Sequence, residues 1–269
     1  MISFVGAGPG APDLITLRGA ARLAQADVVV WASSLVPEAL LQHCRPDIAV
    51  HDSATMTLED VVAVYATHPD PTPIVRLHSG DPSVYGAIGE QIDWCLTQER
   101  SWEIVPGVSS LAAAAARLGR ELTQPGVAQS VVLTRLAGRT RASMPAGESI
   151  AAFAVHGATM AVFLSAARPD ELAAELLAPG SAYHPGTPAA IVIRATWPDE
   201  RMVRTTVGDL AAALRATGTT LTVLVLVGDA LADGAVARRS HLYAPAHSTA
   251  YRLRSQADST AGRPSARRR

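Results

Sequence analysis

Residues 73–98 read PIVRLHSGDPSVYGAIGEQIDWCLTQ. An apolar run beginning at Ile74 breaks at Ser79-Gly80, and the spacing that follows predicts a helix over residues 85–98. A strand that ends in glycine and gives way to a helix is the repeating unit of α/β proteins. The same unit recurs on both sides. Upstream, ISFVGAG, ADVVVWA and DIAVHD read as strands, separated by helical stretches over 16–26 and 36–44. TLEDVVAVYATH (57–68) reads as a helix with Thr57 as N-cap and Asp60 three residues later. Downstream, SWEIVPGVSS is a fifth strand broken at Pro106-Gly107, followed by the Ala-rich helix SLAAAAARLG. This alternation predicts a mostly parallel sheet covered on both faces.

Past this unit the pattern changes. ELTQPGVAQ lacks periodicity, so the domain boundary is placed there, giving residues 1–120 and 121–245 as two α/β domains. The second half holds SVVLTRLAGRT, TMAVFLSA, a helix over PDELAAELLAP, PAAIVIRATWPDE, RMVRTTVGDLAAALRA and TLTVLVLVGDAL. Its strands lie closer together, with hairpin joins expected at Pro198-Asp199 and at Gly218, so a mixed sheet is predicted. Residues 246–269 are rich in Ser, Ala, Arg and Pro and read as a disordered basic tail.

Composition narrows the chemistry. Hydrophobic residues make up 48% of the 269 and charged ones 17%, enough for sizeable cores. No apolar run approaches the ~20 residues of a membrane helix, and the start turns to glycine too early for a signal peptide. A cytoplasmic protein without a membrane partner is the expectation. All 23 basic residues are Arg, which excludes a Schiff-base lysine, a P-loop lysine and a Ser-Lys pair. Residues 1–237 carry 15 Arg against 23 acids, a net of −8, which argues against a nucleic-acid partner. Cys44 and Cys95 stand far apart, with neither a disulfide framework nor a metal-ligand cluster.

Three turns at strand ends carry the site. VGAGPG (5–10) lacks both the spacing of a dinucleotide fingerprint and an acid after the second strand, which ends at Trp31. In the turn after the fourth strand, Asp81 could accept from a ribose or amine, Tyr85 could stack or donate, and the Gly80 carbonyl is expected to face a ligand. In VPGVSS, Ser109 and Ser110 can cap the following helix or bond a ligand. Three such turns at successive strand ends make a cleft.

These residues resemble the tetrapyrrole methylases, which transfer a methyl group from S-adenosylmethionine to corrin precursors. The resemblance spans roughly residues 1–252. It rests on VGAGPGAPDLITLRGA, RLHSGDPSVYGAIGEQ, EIVPGVSS, TMAVFLSA, LTVLVLVGDAL and SHLYAPAHSTAYR. The His-Ser before Gly80 and the Ser-Val-Tyr-Gly after Pro82 look like the branch that methylates precorrin-4 at ring carbon 11 in cobalamin biosynthesis. The resemblance implies two α/β domains with the cofactor in the cleft between them, a tetrapyrrole partner and a homodimer. It further implies that Pro9 lines the cofactor and the macrocycle trough. Gly80, Asp81 and Val84 would contact the amino-acid end of the cofactor, with Tyr85 close by. Ser109 and Ser110 would follow its sulfur, Ser165 would lie near the adenosine, and Ala195 and Val223 to Val225 near the adenine.

No catalytic base is required by this chemistry, and none is assigned. His78 and Tyr85 are the candidates, His78 as a proton acceptor or as a structural residue. Arg76, Arg135 and Arg139 are the cations nearest strand ends and could hold substrate carboxylates. The alternatives are a sibling enzyme acting on uroporphyrinogen, a diphthamide intermediate or ribosomal RNA, and a non-enzymatic nucleotide-binding module. Between metal-free precorrin-4 and its cobalt complex, the metal-free substrate is preferred, on the association of an Arg- and Ala-rich chain with an aerobic source.

Overall fold

The computed structural model describes residues 1–234, except 138–141, 143 and 146. The tail and the end of the second expected domain lie outside the described residues. The first sheet comprises β1 (Ile2–Gly6), β2 (Val28–Trp31), β3 (Ala49–Asp52), β4 (Ile74–His78) and β5 (Trp102–Val105). The strands are all parallel, in the order β3-β2-β4-β1-β5. Every residue of β1 is buried, as a central strand covered on both faces must be.

Four α-helices belong to this half: α1 (Leu17–Gln25), α2 (Leu58–Ala66), α3 (Gly89–Thr97) and α4 (Ser110–Leu118). At the start of α2 the chemistry is the one expected. The Thr57 hydroxyl accepts from the Asp60 N–H, while the Asp60 carboxylate accepts from the Thr57 N–H at 2.9 Å. Leu23 of α1 packs with Val5, Val29 and Val75 on one face of the sheet, while Cys95 of α3 packs with Ile2 and Phe4 on the other. The chain therefore leaves the neighbouring strands β1 and β4 towards opposite faces, which opens a crevice at their carboxyl ends.

The second sheet comprises β6 (Val131–Arg135), β7 (Thr159–Phe163), β8 (Pro188–Ile193), β9 (Arg201–Thr206) and β10 (Val223–Val227), in the order β6-β7-β10-β8-β9. β6 and β7 are parallel and the remaining pairs antiparallel, so the sheet is mixed. Helices α5 (Ile150–Ala154), α6 (Pro169–Leu176) and α7 (Leu210–Ala216) cover one face. The other face is covered by α4, whose Ala113, Ala114 and Leu118 pack against Ala161, Val192 and Leu224. Small alanine side chains let this helix lie close to the sheet. A helix that precedes residue 121 thus packs into the second core and joins the two halves.

Four readings are corrected. Residues Glu38–His43 form a 3-10 turn where an α-helix was expected. The helix after β4 starts only at Gly89, because Tyr85 and Ala87 hold left-handed conformations (φ 56° and 49°) that no helix accommodates. Helix α5 was not anticipated. The turn at Pro198-Asp199 does join the antiparallel pair β8 and β9, but Gly218 follows α7 and leads into β10, which pairs with β7 and β8. It ends a helix and makes no hairpin. No helix among the described residues is long and apolar enough to cross a membrane.

Candidate functional site

Three glycines meet at the carboxyl ends of β1, β4 and β5. A Cβ on Gly6 would lie 2.5 Å from Gly107 Cα, and one on Gly107 would lie 2.1 Å from the Gly80 carbonyl oxygen. Only glycine permits this approach of three backbones. Gly8 and Gly80 exchange backbone hydrogen bonds, Gly80 N–H to Gly8 O at 2.8 Å and Gly8 N–H to Gly80 O at 3.2 Å. The Gly80 carbonyl is therefore held by the first turn, which takes up one of its two lone pairs.

Asp81 is likewise engaged by its own chain. Its Oδ2 accepts from the Gly107 N–H at 2.8 Å, and its Oδ1 accepts from the Ser83 N–H at 2.9 Å and from the Ser83 hydroxyl. Burial opposes its ionisation, but the bonds from Ser83 and Gly107 outweigh it and hold the carboxyl below the usual carboxylate range. Asp81 ties the second turn to the third, and contact with a ligand is left to its remaining lone pairs.

Above these turns a cavity of ≈ 210 Å³ opens between the two sheets. Pro9, Gly80, Asp81, Val84, Tyr85, Ser109 and Ser110 line it from the first sheet's side. Ser165, Ala195 and Val223 line it from the second. Of the twelve residues to which the resemblance gave the cofactor, eleven, Leu224 among them, are thus brought to one cavity, whereas Val225 is buried within its sheet and does not reach it. Ser109 caps α4, accepting from the Leu111 N–H at 3.3 Å. The buried Ser165 Oγ has no hydrogen-bond partner among the described residues. A second cavity of the same ≈ 210 Å³, between Gly186 and Asp233, contains none of the three turns, so lining and not size distinguishes the site.

The sequence model for Tetrapyrrole (Corrin/Porphyrin) Methylases matches residues 1–211. The chain belongs to this family. Among curated relatives, the cobalt-precorrin-4 C(11)-methyltransferase of Methanocaldococcus jannaschii is 44% identical over 231 residues, covering 86% of this chain and 88% of its own. The precorrin-4 C(11)-methyltransferase of Pseudomonas aeruginosa is 44% identical over 252 residues, covering 93% of this chain and 98% of its own. The X-ray structure of a cobalt precorrin-4 methyltransferase superposes with a TM-score of 0.81 at 42% identity, covering 86% of this chain and 96% of that one. The uroporphyrin-III C-methyltransferase of Thermus thermophilus, in complex with S-adenosylhomocysteine, superposes with a TM-score of 0.68 at 28% identity, over 86% and 98%.

In this tetrapyrrole methylase two of the proposed polar residues lie away from the cavity. His78 is 6% exposed beneath the Tyr85–Gly86 turn and is not in the cavity wall. Burial, helped by the Arg76 charge, pushes its imidazole down to about 3, against a bond to the Gly86 backbone that favours the proton. Enclosed and outside the cavity wall, this imidazole does not reach a ligand held there, which favours the structural one of its two expected roles. Arg76 donates to Ser53 Oγ at 2.7 Å and to the Val30 carbonyl at 3.4 Å, which spends it inside the first domain. Arg135, at the end of β6, is close enough for its charge to oppose the rise that burial imposes on the Tyr85 phenol. Arg139 lies outside the described residues. No group of three metal-ligating side chains occurs among the described residues.

The methylase also uses lining residues the sequence did not reveal, among them Leu35, Phe163, Leu164, Thr220 and Thr222. Seven described non-glycine residues have positive φ, and five of them gather here: Tyr85, Leu164 and Thr222 in the wall, Arg194 and Thr196 on either side of Ala195. Strained backbone concentrates where surrounding structure must aim side chains at a ligand.

Proposed function

We propose that this methylase transfers a methyl group from S-adenosylmethionine to ring carbon 11 of precorrin-4. The observation that carries the reading is the 44% identity to a precorrin-4 C(11)-methyltransferase over 98% of that enzyme's length. The metal-free substrate is preferred because four relatives named for it align with 93–95% of this chain and a fifth with 86%, against 85–86% for two named for the cobalt complex. The same reading includes a homodimer in the cytoplasm, with a tetrapyrrole as its partner and no nucleic acid.

The residues fit the cofactor. The buried Ser165 hydroxyl, without a partner among the described residues, would offer it a hydrogen bond, and the turns at Pro9, Gly80 and Ser109 would cradle it with backbone. Bound there, it supplies an electrophilic methyl on a sulfonium. The chain's own task is placement. The turns at the carboxyl ends of the strands would hold the reacting carbon in line, where ~3–3.5 Å separates reacting atoms in productive geometry. The Tyr85 phenol, raised by burial, stays protonated at neutral pH and can donate a hydrogen bond. Arg135, whose charge reaches Tyr85, would meet a substrate carboxylate.

Calorimetry tests the cofactor first: S-adenosylhomocysteine should bind and NAD should not. Incubation with precorrin-4, its cobalt complex and uroporphyrinogen, without oxygen, should give a gain of one methyl by mass spectrometry, fastest for metal-free precorrin-4. A cobalt complex methylated at least tenfold faster, or ~1.4 kcal/mol in transition-state stabilisation, overturns the substrate assignment.

A further inference from the structure

The turn between β8 and β9 crosses from the second sheet to the first domain's opening glycine turn. The Trp197 indole N–H donates to the Pro9 carbonyl at 3.0 Å, and the Ala11 N–H donates to Thr196 Oγ1 at 2.9 Å. These two bonds bracket Gly10. A Cβ on Gly10 would stand 2.3 Å from Trp197 Cδ1 and 2.8 Å from the Ala195 carbonyl oxygen. Gly10 does not have a positive φ. The last glycine of VGAGPG is therefore required by the indole lying on it, not by its own backbone.

The turn that carries Trp197 is fixed from several directions. The Arg194 guanidinium stacks 3.8 Å from the indole centroid and pairs with Asp199 at 2.7 Å. The Glu200 carboxylate accepts from the Thr196 N–H at 2.6 Å and pairs with Arg117 of α4 at 2.5 Å. Arg194 and Thr196 are held at φ 50° and 66° by this network. Between them Ala195 forms part of the cavity wall, and Pro9 forms part of the wall opposite. One side chain thus couples the two walls.

We infer that Trp197 is a positioning residue for the cofactor cleft, acting through Pro9 to hold the glycine turn against the second domain. The inference rests on the cofactor reading above. It differs from a packing role in what it predicts: loss of the indole N–H should change affinity for the cofactor more than it changes the fold.

Trp197→Phe keeps an aromatic ring for Arg194 and removes the donor together with part of the indole's packing surface. Hydrogen exchange in the ligand-free protein should become about tenfold faster over residues 8–11, with S-adenosylhomocysteine bound about fivefold more weakly, the size of effect of one hydrogen bond. The KM for S-adenosylmethionine should rise with that Kd, and kcat should fall by less. Gly10→Ala, which pushes the indole away from the other side, should move exchange and affinity in the same direction. Exchange and Kd both within twofold of wild type in Trp197→Phe overturn the inference. So does faster exchange with unchanged Kd, which makes the contact structural only. If wild-type protein does not bind S-adenosylhomocysteine, the cofactor reading falls, and exchange alone decides whether Trp197 fixes the turn.

Discussion

The ring of Tyr85, from the turn after β4, packs against that of Phe163, from the end of β7, with centroids 5.3 Å apart and planes inclined at 56°. Both residues line the cavity, so this pair closes one side of it across the two domains. Tyr85 remains 47% exposed, leaving its other face open to a ligand. An aromatic pair contributes about 0.5–1.5 kcal/mol beyond its buried area. Tyr85→Ala should therefore weaken S-adenosylhomocysteine binding by about two- to tenfold, and Tyr85→Phe should recover most of that. A kcat lowered about a hundredfold in Tyr85→Phe would instead give the hydroxyl a part in proton handling.

Asp81 joins two turns, so its loss should register in both stability and binding. Asp81→Ala frees the Gly107 N–H and the Ser83 donors, and charge-assisted bonds of this kind are each worth about 1.5–3 kcal/mol. Thermal unfolding should shift down, with a parallel loss of S-adenosylhomocysteine affinity because the Pro106-Gly107 turn carries Ser109. Its depressed carboxyl makes the contribution present above the unfolded value, near pH ~4, and lost as pH falls below it. An unchanged melting temperature with binding abolished would make Asp81 a ligand contact alone.

How much of this was legible depends on whether the cause was local. The strands of the first sheet, the Thr57 cap and the glycine turns follow from neighbouring residues, and the structure places them as read. The tie from Asp81 to the third turn was not legible because its partner Gly107 is 26 residues away. A carboxylate after a strand-end glycine looks free until the next turn arrives to use it. The role of His78 stayed open between proton acceptor and structural residue for the same reason: the turn at Gly86 that encloses it carries no local sign of doing so. The left-handed residues Leu164 and Thr222 carry no local signal, since neither Leu nor Thr favours that conformation. Packing of α4 on the second sheet was hidden because alanines suit any close helix contact. What remained legible at the site came from glycine, whose placement records close approaches that side chains do not.

His78 should make the protein less stable in mild acid. The unfolded chain takes up this proton near the ordinary value of 6.5, while the buried imidazole accepts it only at about 3. Between those values the unfolded state binds more protons, so stability is full above the upper one and declines as pH falls, by about 1.4 kcal/mol per pH unit. His78→Gln removes this dependence. Urea unfolding at about pH 7.5 and about pH 5.5 should show the wild type losing about 1 kcal/mol more than the variant. Equal losses would place His78 in contact with water.

Ser165 offers the sharpest separation of binding from folding. It is 1% exposed, it lines the cavity, and its Oγ has no partner among the described residues. A buried hydroxyl without a hydrogen bond costs the folded protein on the order of 1–3 kcal/mol. The preceding Leu164, held at φ 51°, adds strain to the same turn. Such a cost is sensible only if a ligand recovers it. Ser165→Ala removes the unmet hydroxyl at nearly constant shape, so the ligand-free protein should melt at the same temperature or higher. The same change should weaken S-adenosylhomocysteine by about five- to tenfold, because the ligand's own polar group is now left unmet. The two effects have opposite signs, and a general loss of structure cannot produce both. A variant that melts lower and binds S-adenosylhomocysteine as the wild type does would show that the hydroxyl serves the fold, and the second-domain wall of the site would have to be redrawn without it.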